Sequence, residues 1–221
     1  MLDTSLQAVL SAGTKELNLE CPLDVQAKLL DYVRLLDKWN RVYNLTAVRD
    51  PAEMVTRHIL DSLTVLPFLD KELKGERILD VGTGAGLPGI PLALLSAQTH
   101  PEREFVLLDS NSKKTRFMQQ AVAELGLDNV QVVHARTEAF VPEQEQGFDV
   151  VVSRAFRSVA DMLAGAGQHC APEGVILAMK GADPAAELVD LDTNFVVEQV
   201  HRLVVPGLDE DRHLVCLRRA G

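Results

Sequence analysis

Cysteine is scarce in this chain. Cys21, Cys170 and Cys216 are the only three, widely separated and odd in number, with no spacing for zinc or redox chemistry. No metal site is expected. Long apolar runs are missing too: 150–152 and 175–179 fall far short of the roughly 20 residues that span a bilayer, so a membrane protein is excluded. The N-terminus has no basic stretch followed by an apolar one, because Asp3, Lys15 and Glu16 interleave with weakly apolar residues. No secretory signal is read there, and a cytoplasmic location is expected. Excess positive charge is absent: 22 Lys and Arg face 32 Asp and Glu, for a net charge of −10, and there is no basic tail. Any nucleic acid partner must therefore meet local basic patches rather than the whole surface. Repeats and low-complexity stretches are lacking as well. What remains is 221 residues with 47% hydrophobic content, enough for one packed domain or a domain with a smaller appendage.

The patterning changes around 71–75, which divides the chain into a helical region, 1–72, and an α/β domain, 73–221. In the first, Asp24 reads as the cap of a helix whose stripe takes Val25, Leu29, Val33, Leu36 and Trp39. Asp50-Pro51-Ala52-Glu53 then supplies a cap, a proline at the first helical position and a carboxylate three residues after the cap. The helix that follows has Ala52, Val55, Ile59, Leu60, Leu63 and Leu66 on its apolar arc. Arg57, His58, Asp61 and Ser62 gather on the opposite side, either as a functional cluster or as a solvated face with Arg57 and Asp61 paired one turn apart.

From 77 onward, short runs rich in branched residues alternate with helical patterns, and 77–81, 104–109, 130–133, 148–153 and 174–180 read as five parallel strands. Their near-continuous apolar character suits a sheet covered on both faces. The runs 195–205 and 212–218 flank Pro206-Gly207-Leu208 and read as an antiparallel pair closing one edge. Two such terminal strands are typical of methyltransferases. The expected fold is a Rossmann-like class I methyltransferase: a mostly parallel seven-stranded sheet with an antiparallel edge, plus an N-terminal helical extension.

In an open sheet of this kind, ligands bind beyond the carboxyl ends of the strands. After the first strand comes Asp80-Val81-Gly82-Thr83-Gly84-Ala85-Gly86-Leu87-Pro88-Gly89. Its glycines let a ligand approach the backbone, and the next helix offers unpaired N–H groups. The run from Gly84 to Gly89 also matches the dinucleotide fingerprint, but that fingerprint starts directly after the strand, and the glycine in that place is Gly82. The register after Asp80 favours S-adenosylmethionine, whose ammonium a carboxylate can accept or hydrate, over a pyrophosphate it would repel. Asp109 ends the second strand, where a carboxylate can accept ribose hydroxyls. Thr137 and Glu138 follow the third, either facing an adenine edge or forming a solvated helix start with Thr137 as cap. Arg154 and Arg157 follow the fourth strand and Lys180 the fifth, so positive charge gathers at the cleft. Lys113, Lys114 and Arg116 form a further patch that reads equally as an RNA contact or a solvated helix face.

Two chemistries are disfavoured by what the strand ends lack. Exocyclic amine methylation commonly uses an Asn or Asp, two prolines and an aromatic residue after the fourth strand, where this chain has Ser153 to Phe156. Pyrimidine C5 methylation needs a cysteine nucleophile, and none follows the fourth strand. A small-molecule methyltransferase would be expected to replace the Arg57 helix by an apolar or carboxylate-binding cap. A non-enzymatic RNA- or ribosome-binding module would not need the full set of strand-end ligands.

Trp39-Asn40 with Asn44-Leu45-Thr46, Arg57-His58 with Asp61-Ser62, the stretch from Asp80 to Pro91, Ser153-Arg154-Ala155-Phe156 and Met179-Lys180-Gly181 together resemble the glucose-inhibited division protein B family. These are the bacterial small-subunit ribosomal RNA guanine-N7 methyltransferases, also called RsmG. The resemblance covers most of the chain. It implies S-adenosylmethionine as cofactor, with Gly82, Leu87, Thr137, Glu138 and Arg154 touching it; the loop and strand ends add Asp80, Gly84, Gly86 and Asp109 as cofactor candidates. It places Arg57, His58, Arg136 and Lys180 near the RNA, and it leaves Lys113, Lys114, Arg116 and Arg157 as RNA-binding candidates. The implied partner is 16S ribosomal RNA, free or within a small-subunit particle, with no obligate protein partner. N7 is a ring nitrogen with a free lone pair and no proton to lose, so the implied mechanism is in-line attack without a general base.

Overall fold

The computed structural model describes residues 2–72, 76–142, 146–154, 156–189, 191 and 194–220. Residues 73–75, within the expected boundary between the two regions, and Ala155 of the fourth strand-end motif lie outside the described residues.

Seven strands form one sheet: β1 (Arg77–Val81), β2 (Glu104–Asp109), β3 (Val130–His134), β4 (Phe148–Ser153), β5 (Cys170–Lys180), β6 (Phe195–Leu203) and β7 (Arg212–Arg219), in the order β3-β2-β1-β4-β5-β7-β6. The first five pair in parallel, and β7 runs antiparallel between β5 and the edge strand β6. The chain order reverses between β1 and β4, which makes the carboxyl ends of these two strands the switch point where a ligand crevice opens. Val, Ile and Leu make the central strands apolar on both faces. Ile78, Phe105 and Leu107 point into one core and Leu79, Val106 and Leu108 into the other.

The first of these cores is the larger. It joins Leu10 of α1 (Leu2–Glu16) and Leu29 and Leu36 of α2 (Leu23–Tyr43) to α6 (Gly89–Thr99), α7 (Ser112–Leu125) and the sheet. The helices of the first 72 residues are therefore continuous in packing with the α/β layer. Helix α2 carries the expected stripe of buried Val25, Leu29, Val33 and Leu36, but its cap is Pro22, and Asp24 sits in the first turn, where a carboxylate favours the helix dipole. Among the described residues no helix is long and apolar enough to cross a membrane.

The second predicted helix starts as its sequence directs, with the Asp50 side chain accepting from the Ala52 N–H and Pro51 in the first turn of α3 (Pro51–Met54). It then widens into a π-helical segment, Val55–Leu60, before α4 (Asp61–Leu63) and α5 (Leu66–Glu72). An even 100° step does not hold across that segment. Val55, Ile59, Leu60 and Leu63 are buried as expected, but Ala52 is exposed, and His58, Asp61 and Ser62 are buried as well. The solvated-face reading of this helix is thus overturned. Helix α1 covers one side, with Leu60 directly over Gly13, while side chains arriving from β4 and β7 cover the other.

Candidate functional site

The loop after β1 is folded by its own carboxylate. Asp80 Oδ2 accepts from Thr83 Oγ1 at 2.6 Å and from the Gly89 N–H at 2.8 Å, which draws both ends of the loop onto the strand. Gly82, Gly84 and Gly86 take φ of 65°, 66° and 88°, left-handed values that cost glycine nothing. The Gly84 N–H donates to Asp109 Oδ2 at 2.9 Å, tying the loop to β2. Leu87 is buried behind it. The other carboxylate oxygen of Asp80, Oδ1, is buried and has no hydrogen-bond partner among the described residues. Burial pushes the Asp80 carboxyl up to about 7, against the opposing pull of the Thr83 and Gly89 hydrogen bonds.

A residue outside the sequence reading holds the loop from the other side. Tyr32, in the middle of α2 and fully buried, donates its hydroxyl to the Ala85 carbonyl at 2.7 Å. Tyr32→Phe leaves that carbonyl buried without its donor, an expected loss of about 1–2 kcal/mol in denaturant unfolding. Unchanged stability would show that the bond does not brace the loop.

A cavity of about 500 Å³ opens beside the loop and is lined by Gly82, Leu108, Asp109, Ser110, Lys114, Arg136, Thr137 and Glu138. The structure thus brings together four residues expected at the cofactor, Gly82, Asp109, Thr137 and Glu138. Asp109 Oδ1 accepts the Asn111 N–H. Thr137 opens a short 3-10 turn as its first residue, with Arg136 in the cap position and no side-chain cap bond, so its reading as a cap does not hold. The Thr137 carbonyl bonds His169 Nε2 at 2.9 Å, a contact across 32 residues that spacing could not reveal. Arg136 is exposed at the cavity wall, 3.8 Å from Glu138. The three basic residues of α7 diverge. Lys114 turns into the cavity, 3.8 Å from Asp109, Lys113 lies over the Tyr43 ring, and Arg116 is exposed.

A second cavity of about 300 Å³ lies at the ends of β4, β5 and β7 and is lined by Val48, Arg57, His58, Asp61, Arg154, Met179, Lys180, Gly181, Leu203, Arg212 and His213. Asp61, 2% exposed, is its hub: Oδ2 accepts from Arg154 Nη1 at 3.0 Å and Oδ1 from Arg212 Nε at 3.2 Å. Arg154 Nη1 also donates to the Arg57 carbonyl. Arg57 itself pairs with Glu210 at 2.7 Å, so the pairing of Arg57 with Asp61 one turn apart is not what forms. Lys180 reaches Glu187 and the carbonyl of exposed Arg157, both at 3.0 Å. Of the cations read as a positive cleft, Arg154 and Lys180 are therefore matched by acids from distant segments.

His58 Nε2 shares a hydrogen with Thr46 Oγ1 at 2.8 Å. Asn40 accepts from the Thr46 N–H and donates to the Val48 carbonyl, which gives the Asn40 and Thr46 motifs a physical role in shaping this wall. Burial first, and then the Arg154 charge, lower His58 to about 4, so it is neutral near pH 7. Arg212 and His213 were missed by sequence reasoning. Their signal lay in topology: once β7 is set antiparallel beside β5, His213 falls opposite Lys180 at the carboxyl end of β5.

Comparison with known proteins agrees with this geometry. Residues 25–215 match the model of the GidB family, described as rRNA small subunit methyltransferase G. The chain is 48% identical over 212 residues to the Ribosomal RNA small subunit methyltransferase G of Hahella chejuensis, covering 96% of this chain and 93% of that protein. It is 50% identical over 210 residues to the protein of the same name from Pseudomonas aeruginosa, covering 95% and 94%. In fold it is similar to a SAM dependent methyltransferase from Aquifex aeolicus, with a TM-score of 0.55 at 17% identity over 85% of this chain and 97% of that one. A family model matched over residues 25–215, and relatives 48% and 50% identical along nearly the whole sequence, show that the chain belongs to the GidB family of rRNA small subunit methyltransferases G.

Proposed function

We propose that the chain transfers a methyl group from S-adenosylmethionine to N7 of a guanine in 16S ribosomal RNA, by in-line attack without a general base. Membership of the GidB family carries this reading. The residues present fit the cofactor. Among the described residues the buried Asp80 Oδ1 has no donor, and an ammonium would supply one; Gly82 and Asp109 line the first cavity, where Asp109 offers a carboxylate to a ribose. When bound, the cofactor supplies an electrophilic methyl group on a sulfonium.

The chain's own task is to hold the base in line and exclude water. The second cavity, beside the switch point, receives the guanine, with the helices of 1–72 forming part of the substrate side. Arg57, His58 and Lys180 shape it. N7 has no proton to lose, and His58, at about 4, is a poor proton acceptor. The product base is cationic, and the buried Asp61 offsets Arg154 and Arg212 beside it. Incubating the protein with methyl-labelled S-adenosylmethionine and 16S RNA, free and in small-subunit particles from cells lacking the enzyme, is expected to place label in 7-methylguanosine. Label in any other nucleoside sinks the assignment.

A further inference from the structure

Glu210 lies on the segment between β6 and β7, outside both strands, with a side chain 42% exposed. Its two oxygens are each held by a different arginine from a different element. Oε1 stands 2.7 Å from Arg57 Nη2, on the π-helical segment, and Oε2 accepts from Arg212 Nη2 at 3.0 Å, on β7. Those hydrogen bonds, Arg57's first, hold the Glu210 carboxyl below its usual range. Both arginines line the second cavity.

The two acids of this network differ in kind. Asp61 is 2% exposed and grips Arg212 through Nε, so that arginine stays anchored whatever happens at its other end. Glu210 is a solvent-facing carboxylate on a connecting segment, bound through exposed pairs that water and salt weaken. Arginine offers a carboxylate and a phosphate the same paired N–H geometry.

We propose that Glu210 occupies the position of an RNA backbone phosphate, and that a substrate phosphodiester displaces it to dock between Arg57 and Arg212. This rests on the RNA reading above. It accounts for how a chain of net charge −10 carries a cationic docking point without attracting polyanions at large. Both guanidinium groups are covered by the protein's own acid until a correctly placed phosphate competes for them.

Glu210→Gln removes the charge, keeps the size and sits on an exposed segment. With 16S RNA at about 0.1 M salt, Kd and KM are expected to fall about three- to tenfold, with kcat within about twofold. In an Arg57→Gln background the same change should yield less than about half of that gain, because one of the two freed partners is gone. Glu198→Gln, which removes an exposed acid on β6 that pairs with Arg218 of β7, should leave RNA affinity unchanged. Weaker or unchanged binding by E210Q overturns the proposal, as does an equal gain from E198Q or in the Arg57→Gln background. If the wild-type chain neither binds nor methylates RNA, the RNA reading itself fails. If it methylates RNA and E210Q is unchanged, only the role of Glu210 fails.

Discussion

Asp80→Asn is expected to weaken S-adenosylmethionine binding about 100-fold, close to 3 kcal/mol, with little change in the fold. The side-chain oxygen of asparagine can still accept from Thr83 and Gly89, the two bonds that close the loop in the wild type. The position of Oδ1 then carries an amide N–H₂, which meets the ammonium of the ligand donor to donor, and the negative charge is gone. A pH dependence follows. Asp80 ordinarily ionises near 3.8, and burial raises it to about 7 in the ligand-free protein. A raised carboxyl favours the neutral form in the fold, so its contribution to stability is full below 3.8 and is lost as pH climbs through 7. The ligand ammonium favours the ionised form instead, so binding below pH 7 must expel a proton. Affinity should therefore rise from pH 5.5 towards 7, by up to about tenfold per unit, and level off as the ligand's own amine begins to deprotonate near about 7.7–8.0. Calorimetry at several pH values on both proteins checks this. A wild-type slope retained in Asp80→Asn, or an affinity within about threefold of wild type, would remove Asp80 from the binding site.

How far the sequence could be read depended on the distance over which each feature is decided. The strands announced themselves through local branched runs, and all seven appear, with β5 starting at Cys170, four residues before the expected Gly174. The loop from Asp80 to Gly89 was readable because its glycines, its carboxylate and its helix start lie within ten residues. The same holds for the Asp50 cap. Helix α1 went unread, although its Leu6 and Leu10 are buried on one face. The π-helical segment was equally hidden, because no local residue type signals it. Asp61 was visible as a polar residue on a helix, yet its meaning comes from Arg154 and Arg212, 93 and 151 positions away. Tyr32 is the same kind of case, an apolar-looking position whose hydroxyl serves a loop 53 residues on. Motif spacing finds the glycine loop and names Arg57, His58, Asp61, Arg154 and Lys180, but only topology sets them around one cavity with Arg212 and His213.

Asp61→Ala tests that second cavity and is expected to cost about 2–4 kcal/mol of stability and at least about 100-fold in kcat on RNA. Removing the hub leaves two guanidinium groups, with side chains only 26% and 18% exposed, facing each other without the carboxylate between them. Breaking a buried pair on one side is costly because the remaining charge stays desolvated. Here the remaining charges also repel, and the discount for their partial exposure keeps the figure below that of a fully buried pair. The denaturant midpoint should fall with the slope unchanged. Cofactor affinity is the informative measurement. Asp61 and Arg154 line the second cavity and not the first, so on geometry alone Asp61→Ala should leave S-adenosylmethionine binding within about threefold of wild type. The family resemblance instead assigns Arg154 to the cofactor, in which case Arg154→Ala should abolish binding. Running both variants separates the two roles. If Arg154→Ala loses the cofactor while Asp61→Ala keeps it, Arg154 reaches into the first cavity when the ligand is present and Asp61 only anchors its base. If both keep it, Arg154 belongs to the substrate cavity alone. A midpoint and a kcat both unchanged in Asp61→Ala would mean that the ion network is incidental to fold and reaction alike.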